Sequence, residues 1–506
     1  LAPFGESVRL LHLPPPGADL ASLADRTHPA WRRMKFDELL AQQLSLRLAY
    51  RARRARTAPA LVSNGPLLRR FRGKLPFKLT RAQTRVMGEV LRDLAQPYPM
   101  QRLLQGDVGS GKTIVAAIAC LAAVDAGRQS AVMAPTELLG EQHYRKFSQW
   151  LAPLGVEVSW LHGGLSAKQK RAAQEAIAAG RVAIAVGTHA LFQRGVAFAQ
   201  LGLAVVDEQH RFGVQQRLNL RKKGEAHAGA APLVPHQLMM SATPIPRTLS
   251  MTYFADLDVS VIDEPPPGRH PVATRLVADA RRGEVLARIR DACAEGQQAY
   301  WVCPVIEESK EGELQTALDT YELLVRELPG LRVGLVHGRL SAVDKTAAME
   351  AFAAGQLQLL VATTVIEVGV DVPNASLMVI EHAERFGLAQ LHQLRGRVGR
   401  GARASVCILL YAAPLSEGAR ERLKVVFETS DGFEIARRDL LLRGPGEVLG
   451  ERQSGVALLR FADLERDQAL VRDACEAAEE LLASDPGRAR AHVARWLSAR
   501  QDYVEV

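Results

Sequence analysis

The stretch that most constrains the fold is residues 103–117, LLQGDVGSGKTIVAA. Its short apolar run predicts a strand, a glycine-rich turn follows, and the next residues favour a helix. Gly106, Gly109 and Gly111 let backbone N–H groups converge on an anion, toward which the helix dipole also points its positive end. This order is typical of a phosphate-binding loop in a parallel α/β sheet.

The residues that close this loop predict how it binds a nucleotide. We expect Ser110 to lie in the turn and Lys112 to reach the β- and γ-phosphates. The Thr113 hydroxyl is the expected ligand of Mg²⁺. The predicted cofactors are therefore ATP and Mg²⁺.

Residues 203–210, LAVVDEQH, predict a buried strand that ends in two carboxylates. Asp207 is placed to hold Mg²⁺ through water, beside Thr113. Glu208 is placed to polarise the attacking water as a general base. A protein that only senses nucleotide has no need of Glu208, so the pattern predicts ATP hydrolysis.

An internal repeat predicts two related lobes. Residues 161–188 align without a gap on residues 336–363, with 15 of 28 positions identical at an offset of 175. The shared HG-x-LSA and the terminal Thr188 and Thr363 lie outside the alanine-rich part of the match. Only the first lobe carries a phosphate loop, as in an ATP-driven motor whose second lobe contacts the nucleotide from across a cleft.

Alternating strand and helix patterns fit two parallel sheets. The predicted strands of the first lobe are 102–105, 130–134, 156–161, 182–186, 203–206 and 237–240. Those of the second are 299–304, 331–336, 357–362, 377–381 and 405–410.

The segment QLHQLRGRVGRG, residues 390–401, carries Arg395, Arg397 and Arg400 in the second lobe. Glycines are poor choices for an exposed helix, yet three of them alternate with these arginines. They suit arginines that approach a phosphate closely, as fingers supplied when the cleft shuts. Hydrolysis and lobe motion are then coupled.

Charge is unevenly distributed in a chain whose formal net charge is +9. Positions 39–88 contain twelve Lys or Arg residues and no Asp or Glu, which favours a nucleic-acid backbone as partner. Residues 29–56 predict one long helix that ends in arginines, whereas residues 1–30 show little periodic structure. Five scattered cysteines and the lack of a long apolar run predict neither a zinc site nor a membrane span.

Seven segments in order resemble the motif set of superfamily-two helicases. They are GDVGSGKT, APTELL (134–139), VGTHALF (186–192), DEQH, SATPIPRTL (241–249), TTVIEVGVDVPNA (363–375) and QLRGRVGR (393–400). DEQH, the TPIPRTL extension and GFEIARRDLLLRGPGEVLGERQSG (432–455) narrow the resemblance to the RecG family of branched-DNA helicases. That family remodels stalled replication forks and Holliday junctions. The resemblance covers residue 77 to the C-terminus, and the helix at 36–47 is similar to the family's linker helix.

The resemblance implies a fold of two tandem RecA-like lobes with parallel sheets, preceded by a basic linker helix and followed by a helical-hairpin translocation subdomain. We expect a tail and linker at 1–74, lobes at 75–258 and 259–415, and the translocation region at 416–506. The family's N-terminal wedge domain is expected to lie upstream, with residues 1–16 as its last strand.

The resemblance also implies roles for single residues. Gln83 would recognise adenine, Gly369 and Asp371 would face the nucleotide, and Gln393, Arg397 and Arg400 would complete the γ-phosphate shell. The residues implied to couple nucleotide state to DNA, or to contact and move DNA, are His210, Ser241, Thr243, Thr188, Thr363, Arg437, Arg443 and Gly446. The implied partners are branched or duplex DNA, with single-stranded DNA-binding protein or other fork proteins beside it, in the nucleoid of the cytoplasm.

Two other functions remain open from the sequence. The chain could be the motor module of a transcription-repair coupling factor, which shares the translocation motif. It could also be a nucleotide-gated DNA clamp that binds without turnover. The primosomal helicase PriA needs clustered zinc cysteines, which this sequence lacks.

Overall fold

The computed structural model describes residues 1–62, 65–193, 195–208, 233–242, 257–265, 271–304, 310–363, 372–401, 403–443, 459–464 and 466–497. The chain begins with α1 (Phe4–His12), α2 (Leu20–Ala24) and α3 (Pro29–Arg54). The long helix predicted at 29–56 is confirmed, with Pro29 in its first turn, where the missing N–H costs no hydrogen bond.

The expectation of little structure before residue 30, and of a strand at 1–16, is wrong. Residues 4–12 form α1, which packs on α3. Phe4 meets Trp496 edge-on with ring centroids 6.2 Å apart. A partner nearly 500 positions away stabilises this helix, and no local pattern reports such a partner.

The first lobe is a parallel sheet covered by helices. It contains α4 (Pro66–Lys74), α5 (Arg81–Leu94), β1 (Gln101–Gly106), α6 (Lys112–Asp125), β2 (Gln129–Met133), α7 (Glu137–Leu151), β3 (Val158–Leu161), α8 (Ala167–Ala178), β4 (Ile184–Gly187), β5 (Leu201–Val206), β6 (His236–Ser241) and β7 (Asp258–Ile262). The strand order is β3-β4-β2-β5-β6-β1-β7. Every residue of β1, β2, β4, β5 and β6 is buried, as expected for a sheet with helices on both faces.

The second lobe repeats this plan. It contains β8 (Ala273–Ala278), α9 (Arg282–Ala294), β9 (Gln298–Val302), α10 (Lys310–Glu327), β10 (Val333–Val336), α11 (Ala342–Ala353), β11 (Leu359–Ala362), β12 (Ala375–Ile380), α12 (Leu388–Arg395) and β13 (Val406–Tyr411). All strands are parallel in the order β10-β11-β9-β12-β13-β8. The predicted pair of parallel-sheet α/β lobes is confirmed.

The repeat read from the sequence is a structural repeat. The unit β3-α8-β4 in the first lobe and the unit β10-α11-β11 in the second begin and end 175 residues apart, element by element. Both units occupy the same edge of their sheets. Thr188 and Thr363 therefore follow equivalent strands at the carboxyl ends of the two sheets.

Two edge strands, β7 and β8, were missed by the sequence prediction. Only two residues of β7 and one of β8 are fully buried, so neither strand is a continuous buried apolar run. Strand β7 pairs with β1 of the first lobe. The lobe boundary expected after residue 258 thus falls at the first residue of a strand that belongs to the first sheet.

A helical unit joins the two ends of the chain. The helices α13 (Glu417–Glu428) and α14 (Gly432–Arg443) follow the second lobe, and α15 (Gln468–Ser484) and α16 (Pro486–Leu497) pack on α3. Leu39, Leu40 and Leu44 of α3 form one core with Leu470, Ala474, Ala478 and Leu482. Glu38 accepts hydrogen bonds from the backbone N–H groups of three successive residues, 460–462, at 2.6–3.0 Å.

Part of the basic run turns inward in the fold. Arg53 is buried and bonds to Asp258 Oδ2 at 3.0 Å and to the Gln101 carbonyl at 3.3 Å, which fixes α3 to the first sheet. Arg47 pairs with Glu479 of α15 at 2.9 Å. Within the described residues, no helix is long and apolar enough to cross a membrane.

Candidate nucleotide site between the two lobes

The loop between β1 and α6 has the conformation that the glycines predict. Gly109 and Gly111 adopt φ values of 79° and 91°, which residues with a Cβ rarely adopt. A Cβ on Gly106 would lie 2.5 Å from Ser110 Oγ, and one on Gly111 would lie 2.3 Å from Gln83 Nε2. Neither space admits a side chain without movement of its neighbour.

The side chains of this loop suit a phosphate. Ser110 Oγ is buried without a hydrogen-bond partner among the described residues, so it is available to a ligand oxygen. Lys112 Nζ donates to the loop's own carbonyls, Gly106 O at 2.7 Å and Asp107 O at 3.1 Å. Burial lowers the pKa of Lys112, against the opposing effect of Glu208, Asp207 and Asp107. Phosphate oxygens would give that ammonium stronger partners than carbonyls do.

Asp207 follows β5 and is held at both oxygens. His143 Nε2 lies 2.8 Å from Oδ2, and the backbone N–H of Glu208 donates to Oδ1 at 3.0 Å. Burial opposes ionisation, but His143, Lys112 and the Glu208 N–H outweigh it and lower the pKa of Asp207. Asp207 is therefore a carboxylate in this site.

Glu208, the next residue, has a left-handed backbone with φ of 50°. Non-glycine residues in this conformation are strained and cluster at functional sites. Burial and the neighbouring Asp207 charge raise the pKa of Glu208, although the Ala242 N–H bonds to its charged form. This contact links Glu208 to the SAT segment that begins at Ser241.

Gln83, the expected adenine reader, is buried in the first turn of α5. Its Oε1 accepts from the Thr80 N–H at 3.0 Å, and its Nε2 donates to Ser110 O at 2.8 Å. The side chain caps its helix and holds the phosphate loop at the same time. A role in adenine recognition stays a prediction.

The second lobe touches the phosphate loop directly. His392 of α12 is buried, and its Nε2 lies 2.7 Å from Asp107 Oδ1. A Cβ on Gly396 would lie 2.9 Å from Val108 Cβ. Arg397 is close enough for its charge to act on both Lys112 and Glu208. It adds to the lowering of the Lys112 pKa and partly offsets the raising of the Glu208 pKa. An arginine of the second lobe thus faces the phosphate loop and the predicted base.

The hydrogen bonds found for Arg395 and Arg400 of the same segment lie within the second lobe rather than across the cleft. Arg395 is buried and bonds within its lobe to the carbonyls of Val426 and Thr429, both at 2.9 Å. Gln393 is also buried, and Arg400 Nε donates to Gly396 O at 3.3 Å. The finger roles of Gln393 and Arg400 stay predictions.

Several predicted residues have a position but no tested role. Thr188 and Thr363 are buried at the ends of β4 and β11, Ser241 ends β6, and Thr113 lies in the first turn of α6. Arg437 lies exposed on α14, which ends at Arg443. Outside the described residues lie His210, Thr243, Gly369, Asp371 and Gly446.

The sequence reasoning did not single out His143, Asp107 or His392. His143 lies six residues beyond the start of α7, and His392 lies between two glutamines already assigned to a motif. A single histidine on an amphipathic helix is a weak signal, because most such residues only pack. Only the fold brings His143 to Asp207 and His392 to Asp107.

Family models match three successive parts of the chain. The model described as DEAD/DEAH box helicase matches residues 80–252, and the Helicase conserved C-terminal domain matches residues 284–402. The model described as ATP-dependent DNA helicase RecG, domain 3, C-terminal matches residues 429–498.

Two comparisons with solved structures agree with the fold. A chain described as RecG bound to a three-way DNA junction superposes with a TM-score of 0.70 and 42% identity, covering 87% of this chain and 57% of that one. Dbp5 of S. cerevisiae bound to RNA and ADP BeF3 superposes with a TM-score of 0.54 and 16% identity, covering 83% of this chain and 100% of its own. The second likeness concerns the fold alone.

Curated relatives extend the match to nearly the whole chain. The ATP-dependent DNA helicase RecG of Acidithiobacillus ferridurans is 55% identical over 501 residues, which cover 99% of this chain and 71% of that protein. RecG of Escherichia coli (strain K12) is also 55% identical, over 98% of this chain and 71% of its own length. The chain therefore belongs to the RecG family of ATP-dependent DNA helicases.

Proposed function

We propose that this chain uses ATP hydrolysis to move on duplex DNA and remodel branched DNA, such as stalled forks and Holliday junctions. The observation that carries the proposal is the contact of the second lobe, through His392 and Gly396, with the phosphate loop of the first. Membership in the RecG family decides against the motor of a transcription-repair coupling factor. The solved RecG relative bound to a three-way junction supports a branched substrate.

In this proposal the first lobe binds the triphosphate. The N–H groups at the start of α6 and the Ser110 hydroxyl donate hydrogen bonds to phosphate oxygens, and the Lys112 ammonium exchanges the loop carbonyls for the β- and γ-phosphates. Thr113 and Asp207 supply oxygen atoms of the kind that Mg²⁺ prefers, and the ion would neutralise the charge that develops on the phosphates. Because Asp207 is ionised, these residues fit that ion.

Glu208 then orients and polarises the attacking water. Its raised pKa makes it a better proton acceptor than an ordinary carboxylate. Arg397, with Arg400 and Gln393 on the same lobe, stabilises the charge on the γ-phosphate in the transition state. An arginine finger contributes about 10³–10⁵-fold to turnover in phosphoryl transfer.

DNA contact is assigned to both lobes and to the outward part of the basic run. Thr188 and Thr363 lie at equivalent places at the carboxyl ends of the two sheets. Arg69, Arg70 and Arg72 of α4 are exposed, while Leu68 and Phe71 pack that helix onto the first lobe. These arginines form no ion pair within the described part of the chain, so they are available to phosphates.

The segment 432–455 is assigned to translocation. In this proposal Arg437, Arg443 and Gly446 let the segment change its position on DNA when the lobes close. Helix α14 packs on α13 and on α12 of the second lobe, and α12 begins the arginine segment. Further proposed partners are single-stranded DNA-binding protein and other fork proteins, and the proposed site of action is the nucleoid in the cytoplasm.

The rival of another class is a nucleotide-gated clamp without turnover. ATPase activity of the wild-type chain with and without forked DNA separates the two, together with Lys112→Ala and Glu208→Gln. We expect DNA-stimulated hydrolysis in the wild type and none in Lys112→Ala. Glu208→Gln should bind ATP and hydrolyse it at least about 100-fold more slowly.

A chain that binds ATP and DNA but never releases phosphate would be a clamp. Near wild-type turnover in Glu208→Gln would remove the assignment of the base.

A further inference from the structure

His143 is a buried side chain that contacts Asp207, the carboxylate predicted to hold Mg²⁺ through water. It belongs to none of the seven helicase-like segments of the sequence. Its Nε2 lies 2.8 Å from Asp207 Oδ2, and the two side chains are only 5% and 9% exposed. Phe147, one turn on, packs edge-on against the imidazole with an interplanar angle of 85°. The ring cannot turn freely, so it fixes the direction of the Asp207 carboxylate.

The helix that carries His143 also contacts the second lobe. Leu138 of α7 packs against the hydrophobic core of that lobe. Arg145 Nη2 lies 2.5 Å from Glu350 Oε1 on α11. Both contacts cross the cleft between the lobes.

The helical period places these contacts on opposite sides of α7. Leu138 and Arg145 are seven residues apart and share one face, whereas His143 lies about 140–160° around the helix from both. One face of α7 therefore meets the second lobe and the other meets Asp207. A shift of the second lobe against α7 must move His143 or strain its contact, because packed interiors deform little.

We infer that His143 is a positioning residue for Asp207 and that α7 transmits the position of the second lobe to this carboxylate. The inference rests on the proposed function, in which Asp207 holds Mg²⁺ through water. Carboxylates that serve a metal are commonly oriented by such outer hydrogen bonds, and removal of one costs about 10–100-fold in metal affinity or activity. Asp207 would then be correctly aimed only when the cleft is closed.

The first test measures metal-dependent nucleotide binding rather than turnover. A fluorescent ATP analogue is titrated with MgCl₂ on the full chain, wild type against His143→Leu. We expect His143→Leu to raise the Mg²⁺ concentration for half-maximal change by about 10–100-fold, with metal-free binding unchanged. His143→Gln keeps an N–H donor at a similar reach and should recover most of the loss.

An equal Mg²⁺ requirement in His143→Leu and wild type, with only a lower melting temperature, would make His143 a packing residue. Asp207→Asn distinguishes this failure from a failure of the proposed function. If Asp207→Asn raises the Mg²⁺ requirement and His143→Leu does not, only the inference is wrong. If Asp207→Asn has no effect, the assignment of Asp207 to Mg²⁺ is wrong as well.

The second test addresses transmission through α7. With forked DNA present, Arg145→Ala should raise the Mg²⁺ requirement by about two- to fivefold, the range for an exposed ion pair. Leu138→Ala should raise it further, since it removes packing rather than a solvated contact. The exchange Arg145→Glu with Glu350→Arg should recover part of the loss, because Glu141, which also pairs with Arg145 at 2.7 Å, would then face a like charge.

If neither Arg145→Ala nor Leu138→Ala changes the Mg²⁺ requirement with DNA bound, α7 does not transmit the position of the second lobe.

Discussion

Glu208 combines two properties that a structural carboxylate rarely shows together. Its backbone has φ of 50°, and its pKa is raised by burial and by the adjacent Asp207 charge. Both cost folding free energy, and neither improves packing. Proteins keep such costs where chemistry requires them.

The free-energy cost of the buried Glu208 charge predicts that Glu208→Gln stabilises the nucleotide-free protein. The native pKa lies above the ordinary glutamate value of 4.5, so the native state binds more protons than the unfolded state between these two values. Stability of the wild type therefore falls as pH rises through that window, and the full cost is present above it. Each kcal/mol removed by the neutral amide raises the melting temperature by about 2–4 °C.

Melting curves with EDTA from pH 5 to 8 check this. The advantage of Glu208→Gln should be largest at pH 8 and shrink toward pH 5. A pH-independent difference would mean that the charge is not its source.

Helix α4 separates the outward part of the basic run from the inward part. Its apolar face enters the first-lobe core, and Asp125 at the end of α6 accepts from the backbone N–H groups of Leu67 and Leu68 at 3.2 Å. The exposed arginines are thereby held on a rigid element. Arg47 and Arg53, from the same acid-free run, are used to hold helices and sheet together.

Replacing Arg69, Arg70 and Arg72 together with Ala should weaken duplex binding and reduce its salt dependence. Each lost phosphate contact lowers the slope of log K against log salt by about 0.9, so three give at most about 2.7. Affinity measured between 50 and 200 mM salt gives the slope.

Arg47→Ala is the matched control for this triple variant. Arg47 lies in the same basic run, and its replacement removes the ion pair with Glu479. We therefore expect a lower melting temperature and an unchanged salt slope. A triple variant with the wild-type slope would exclude α4 from the DNA interface.

The sequence predicted most elements because their patterns are local. Strands with continuous apolar runs, the phosphate loop and the repeat at an offset of 175 all follow from neighbouring residues. β7 and β8 are edge strands without such runs, and α1 depends on a ring contact with Trp496. In the site, the glycines and acidic residues could be predicted from the sequence because they belong to local motifs. His143 and His392 could not, because their partners Asp207 and Asp107 are distant in the chain.

The two lobes meet at a contact that requires a glycine. Gly396 has φ of −67°, so alanine would cause no backbone strain there, yet its Cβ would lie 2.9 Å from Val108 Cβ. Gly396→Ala should therefore leave the melting temperature unchanged and reduce kcat by hindering closure. Val108→Gly removes the obstructing Cβ together with its methyl groups and should restore turnover in the double variant.

ATPase assays on the two single variants and the double variant measure this coupling. Equal turnover in Gly396→Ala and wild type would mean that the cleft closes differently from the contact seen here.

We expect the role of α14 in moving DNA to be separable from ATP hydrolysis. Arg437 is exposed and bonds to Glu434 within α14 at 2.8 and 2.9 Å. We expect Arg437→Ala to keep most DNA-stimulated ATPase and to lose fork unwinding, since its charge would act on DNA rather than on ATP. Melting temperature, ATPase and strand displacement are measured on the same preparation.

Glu434→Gln is the control because it breaks the same ion pair but leaves the arginine charge in place. If Glu434→Gln and Arg437→Ala lose all three properties in parallel, α14 serves the packing of its subdomain and not translocation.

The packing of α3 on the C-terminal helices has a consequence for how the protein is made. Lys35 and Asp467, which bond at 3.0 Å, lie 432 residues apart in the chain. A ribosome adds about 5–20 residues per second, so about 20–90 s pass between the synthesis of these two partners. During that time Leu39, Leu40 and Leu44 have no partner from α15 to cover them. The nascent chain therefore carries an apolar stripe that chaperones can bind until α15 and α16 emerge from the ribosome.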